Sequence, residues 1–225
     1  GSYRVNQDAQ LESENVPDLL FIEFAINDIY DSRTKEQVDV DYESIILQAY
    51  KANPKMIILP VFTMDMTLAQ SLVKNGTEGS WYFDEERAIA AYYNLDTLNI
   101  GRALVDVISA DYAANGKEMQ TTDISDADSI WRKYVGDSCH PIDSGHKIYA
   151  DTIIEYLNSQ LNPALAAVDN NEYADIILPV PYCRPLGLEK HLKLNGHYIS
   201  FKDAGFTSDN FYGWKLNYTD SESVL

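Results

Sequence analysis

The stretch Asp137-Ser138-Cys139-His140-Pro141 sets a carboxylate three positions ahead of a histidine, and Gly145-His146 follows at the start of an amphipathic segment. On a short loop entering a helix, such a carboxylate can turn back onto the imidazole. It would hold one ring nitrogen protonated and leave the other free to take a hydroxyl proton. His140 is therefore a candidate general base and Asp137 its orienter. More than a hundred residues earlier, Ala25-Ile26-Asn27-Asp28 closes a nearly continuous apolar run. An Asn at the end of a parallel strand offers a fixed amide donor where an oxyanion develops, which makes Asn27 a candidate oxyanion donor. The three residues compose most of an acyl-transfer site, without its nucleophile.

Each has an ordinary alternative. Asn27 and Asp28 are common turn residues, and His140 could be a loop histidine satisfied by Asp137; the pairing of the two segments is what favours catalysis. Cys139 is not read as the nucleophile, because one residue before the base on a tight loop its side chain should point away from the imidazole. Cys139 and Cys183 fit no metal-ligand spacing and are too few for a disulfide framework, so one bridge and two free thiols both stay open. His146 falls in a first helical turn, where a cation opposes the dipole, and reads as neutral and structural. His191 and His197 read as surface residues.

Glu23 interrupts the apolar run and reads as a structural carboxylate in need of a partner or a raised pKa. Asp65, just past the second apolar run, is either a substrate contact or a solvated turn residue. Trp81, Tyr82 and Phe83 could wall a cleft and stack sugar rings, or simply pack a loop. No Gly-rich phosphate cradle precedes a helix, so no nucleotide cofactor is expected, and no metal either.

The elements that position these residues follow from periodicity. Asp18 to Ile26 reads as a central parallel strand covered on both faces. Asp41 to Ala52 is an amphipathic helix with Asp39 or Asp41 as its cap, and Met56 to Phe62 is a second buried strand. A strand, a helix and a strand in that order imply a crossover and a parallel sheet. Helices over Asp84 to Tyr93 and Arg102 to Ala114 flank a short strand, Leu95 to Ile100. After a polar loop from Lys117 to Ser129, Ser144 to Leu161 forms a closing helix that Asn162-Pro163 ends. The expected fold is α/β, a three-layer αβα doubly wound parallel sheet over residues 1–162. Residues 163–190 read as a linker and 191–225 as the start of a β-rich, sandwich-like module cut short.

Composition narrows the partners. The 225 residues are 45% hydrophobic, and 35 acidic against 17 basic side chains leave a net charge of −18. A phosphate backbone or an anionic membrane would repel such a chain, so nucleic acid and membrane are not expected partners. No run approaches the ~18 consecutive apolar residues of a spanning helix.

The segment Asp18 to Asp28 resembles the third conserved block of the SGNH (GDSL-type) hydrolases, with Ala25 in place of the first glycine. Gly136 to Pro141, with Gly145-His146 and its helix, resembles the fifth block. The resemblance covers about residues 1–162. It implies that Asn27 is an oxyanion donor, His140 the general base and Asp137 its orienter, in ester hydrolysis through an acyl-serine without metal or cofactor. In that family the nucleophilic serine lies in a Gly-Asp-Ser motif behind a first strand, and no such block precedes Leu19. The chain is thus expected to be an SGNH hydrolase shortened at both ends, lacking its first strand and nucleophile. The tail, with Leu194 to Tyr198 and Gly213-Trp214-Lys215, is similar to the β-sandwich module of some carbohydrate-directed members. The expected substrate is a small or carbohydrate ester and the expected setting extracellular; the alternative is a non-catalytic binding domain on the same fold.

Overall fold

The apolar run after Pro17 forms β1 (Leu19–Ile22), and the second run forms β2 (Ile57–Phe62). The computed structural model describes residues 16–167 together with Ala9, Leu11 and Tyr182. Cys183, His191, His197, Ser2, the expected β module and, apart from residues 163–167 and Tyr182, the expected linker lie outside the described residues.

β1 pairs in parallel with β2, Leu19 opposite Ile57 through Ile22 opposite Pro60. β2 pairs in parallel with β3 (Leu98–Asn99), giving the order β1-β2-β3. Parallel neighbours need long crossovers. Between β1 and β2 these are α1 (Ala25–Tyr30) and α2 (Lys35–Ala52), and between β2 and β3 they are α3 (Met66–Asn75) and α4 (Trp81–Tyr92). After β3 come α5 (Ile100–Ala114) and α6 (Asp143–Tyr156). Two cores form. In one, Ile22 and Ile58 pack with Ile45, Ile46 and Ala49 of α2 and Ile89 of α4. In the other, Phe62 and Met64 pack with Leu72 of α3, Leu104 and Ile108 of α5 and Tyr149 of α6. Apolar burial on both sides of one sheet is the three-layer α/β arrangement that the sequence implies.

Several boundaries differ from the periodicity. α2 begins at Lys35 rather than Asp41, because Thr34 and Gln37 form a reciprocal capping box: the Gln37 N–H donates to Thr34 Oγ1 (3.3 Å) and the Thr34 N–H to Gln37 Oε1 (2.9 Å). Asp39 and Asp41, expected as caps, instead pair with Lys35 and Arg33. The short strand shrinks to Leu98–Asn99, since Asn99 Oδ1 accepts the Arg102 N–H (2.8 Å) and caps α5. The closing helix does not stop at Asn162-Pro163. It passes through a π turn (Leu157–Leu161) into α7 (Asn162–Ala167), which holds Pro163. No helix among the described residues is long and apolar enough to cross a membrane.

Candidate active site

A 3-10 turn at Trp131–Lys133 leads into a loop that closes on itself. The Gly136 N–H donates to the His140 carbonyl (2.7 Å), the Ile142 N–H donates to the Tyr134 carbonyl (2.9 Å), and Val135 and Pro141 form an antiparallel bridge. Gly145 permits this closure: a Cβ there would press on the Tyr134 carbonyl and lie 2.8 Å from Pro141 Cβ.

Inside the loop, Asp137 turns back on its own backbone. Its Oδ1 accepts the N–H groups of Cys139 and His140, both at 2.8 Å, and its Oδ2 lies 2.7 Å from His140 Nδ1. Partial burial raises the Asp137 pKa, but the two backbone donors and the imidazole outweigh it and hold the carboxyl down at about 2. Asp137 is therefore an anion at neutral pH, and it keeps a proton on Nδ1 rather than taking it. The imidazole side chain is 80% exposed, which leaves Nε2 reachable.

Two contacts pin the loop to the core. The indole of fully buried Trp131 donates to the Asp137 carbonyl (2.6 Å), and the Met66 N–H donates to the Ser138 carbonyl (2.8 Å). Met66 opens α3, so its amide is one of the helix's unpartnered donors, and the loop satisfies it. Neither contact has a signature in residue spacing.

Asn27 does not close a strand. β1 ends at Ile22, and Asn27 is the exposed third residue of α1. A short apolar run fits a strand or a helical turn equally well, and here it divides between the two. One turn further on, the Tyr30 hydroxyl donates to Asp65 Oδ2 (3.3 Å) and lies beside the Ser138 side chain. α1, the start of α3 and the Asp137–His140 loop thus meet beyond the carboxyl ends of β1 and β2, where open α/β sheets carry ligands. Asp65 is neither solvated nor free for substrate: it is buried, and its Oδ1 caps α3 by accepting the Leu68 N–H (2.8 Å).

Cys139, expected to point away, has its Sγ 3.6 Å from His140 Nδ1. Convergence of both loop amides on Asp137 Oδ1 curls residues 139 and 140 around the carboxylate and brings the thiol beside the ring. It meets the nitrogen that Asp137 already holds. Burial pushes the thiol pKa up, and Asp137 and Asp65 push it further, the wrong direction for a thiolate nucleophile. Asp137, Cys139 and His140 do bring carboxylate, thiol and imidazole within 4.8 Å of one another. A divalent cation could take these donors only by breaking the Asp137–Nδ1 hydrogen bond. Among the described residues no hydroxyl is hydrogen-bonded to the His140 ring, that of neighbouring Ser138 included.

No protein-family model and no curated protein matches the sequence. Among solved structures the chain is similar to a two-domain esterase active on acetylated mannans, with a TM-score of 0.53 and 22% identity, over 81% of this chain and 39% of that one. A structure of that kind of esterase co-crystallised with mannopentaose matches with the same TM-score and identity, over 81% and 38%. The fold is esterase-like. In both cases the chain spans well under half of the neighbour's length.

The remaining candidates lie around this rim. Glu23 accepts from Thr63 Oγ1 (2.9 Å), joining the ends of β1 and β2, and burial raises its pKa. Glu86 escapes sequence reading, since a glutamate between Glu85 and Arg87 reads as solvated. It is fully buried with neither oxygen hydrogen-bonded, and burial, aided by Asp28 and Glu23, pushes its pKa to about 9. His146 is exposed in the first turn of α6, edge-on to Tyr149 (6.5 Å). The three aromatics divide: Phe83 is buried against Phe62 (5.1 Å), while Trp81 and Tyr82 stay at the surface.

Proposed function

We propose that this chain carries the base and orienter of a serine ester hydrolase of the SGNH type, which removes acetyl or other short acyl groups from a carbohydrate. The observation that carries the reading is the Asp137–His140 pair, a carboxylate held ionised by its own loop and bonded to Nδ1 of an accessible imidazole. The esterase-like fold supports it, as does the activity of its structural neighbour on acetylated mannans.

In this reading His140 Nε2 takes the proton of a serine hydroxyl as the oxygen attacks the ester carbonyl. The Asn27 amide stabilises the oxyanion, and the imidazolium returns the proton to the departing sugar oxygen, leaving an acyl-serine. Water, activated by the same nitrogen, then releases the acid. Asp137 stays ionised throughout. In this reading the serine belongs to a Gly-Asp-Ser block ahead of β1; residues 1–18 hold none, and the 225-residue chain alone should show no turnover through an acyl-serine. In the protein that supplies the block, Asn27→Ala should lower the rate of acetate release by roughly 10²–10³; a negligible loss would make Asn27 a turn residue only. The absence of a hydroxyl at His140 among the described residues favours, as a second reading, a ligand-binding domain on the same fold. The coding sequence upstream of Gly1 separates the two.

A further inference from the structure

The start of α4 stands on the same rim as His140. Phe83 rests on Phe62, the last residue of β2, and Asn99, the last residue of β3, donates to Glu78 Oε1 (2.6 Å) just before the helix. The Tyr82 hydroxyl donates to the Arg33 carbonyl (3.0 Å), in the turn between α1 and α2, three residues beyond Tyr30. Trp81 then stacks on Tyr82, with ring centroids 3.8 Å apart and planes 24° from parallel. One face of the indole is covered in this way, so its 42% exposure lies away from Tyr82. Tyr30 is 56% exposed although its hydroxyl is held by Asp65, beside Ser138, the residue two before His140.

Tyr30 and Tyr82 are held at their hydroxyls and Trp81 by its stack on Tyr82, so a ligand would order little on binding these flat rings. Phosphate and other anions are disfavoured by the charge of −18. A neutral sugar ring suits them, with C–H faces that lie on an aromatic face and hydroxyls that donate to nearby carboxylates. We propose that Trp81, backed by Tyr82, and Tyr30 form a carbohydrate-binding platform that seats neutral sugar rings beside the Asp137–His140 loop. The proposal rests on the reading of this site as a carbohydrate ester hydrolase.

The test is titration of the 225-residue chain with mannopentaose, which has no ester, followed by calorimetry and indole fluorescence. Saturable binding is expected. Trp81→Ala should weaken it by about tenfold or more, and Trp81→Phe should restore most of it. Should Trp81→Ala fail to fold, Trp81→Leu serves the same purpose. Absence of saturable binding, or wild-type affinity in the folded Trp81→Ala or Trp81→Leu variant, would overturn the platform. Because the readout is binding rather than turnover, the platform and the esterase reading fail separately: sugar binding without His140-dependent acetate release in the serine-containing protein would remove only the latter.

Discussion

With both oxygens of Asp137 committed, the aspartate fixes the tautomer and direction of the His140 ring. Asp137→Asn keeps the shape but offers the wrong partner to Nδ1. In the serine-containing protein it should cost roughly 10⁴ in kcat with KM little changed. The melting temperature should hardly move, because the pair is solvent-exposed. A kcat near wild type would make the pair a surface ion pair only. Glu86 gives a separate prediction. Its folded pKa of about 9 lies above the ordinary value of 4.5, so between those limits the folded chain holds more protons than the unfolded one. That stability is fully present below the lower value and is lost as pH rises through the upper, by up to about 1.4 kcal/mol per pH unit. Denaturant titrations at about pH 5.5 and about pH 8.5 should show a smaller loss in Glu86→Gln than in wild type; equal losses would contradict the assignment. The Asp137–His140 bond was legible in the sequence because three intervening bonds of one loop make it. The indole under Asp137, the thiol beside the ring and the buried Glu86 were not, because each depends on what distant segments place around it.

At the scale of elements, closure of the Asp137–His140 loop rests on one missing side chain. Gly145→Ala drives a methyl group into the Tyr134 carbonyl and Pro141, so the loop or the first turn of α6 must shift. The cost should be about 1–3 kcal/mol of stability, typical of overpacking, accompanied by a fall in kcat as His140 moves. Wild-type melting in that variant would show the contact to be soft. β2, α5 and most of α6 were readable from period and punctuation, since long runs average out local ambiguity. α3 was not anticipated, although Asp65 and the left-handed Gly76 (φ 75°) bracket it as cap and stop. Its ten residues follow a strand so closely that the apolar pattern does not change period. The division of the run after Pro17 into β1 and α1 was hidden for the same reason, and it moved Asn27 from a strand end onto a helical turn.

Over the whole molecule, the parallel sheet brings one rim together from α1, the start of α3, the start of α4 and the Asp137–His140 loop, which lie far apart in sequence. Among the described residues β1 pairs with β2 alone, and its Phe21 is exposed. The α/β class was legible from alternating strands and helices. The meeting of Tyr30, Asp65 and Ser138 was not, because it depends on how helices cross the sheet rather than on any one segment. The most direct test is acetate release from a small acetyl ester by a protein in which a Gly-Asp-Ser block precedes β1 of these 225 residues, compared with its His140→Ala variant. Loss of several orders of magnitude in kcat, roughly 10⁴–10⁶, with the fold retained, is the predicted result. Undiminished turnover in His140→Ala would contradict the account.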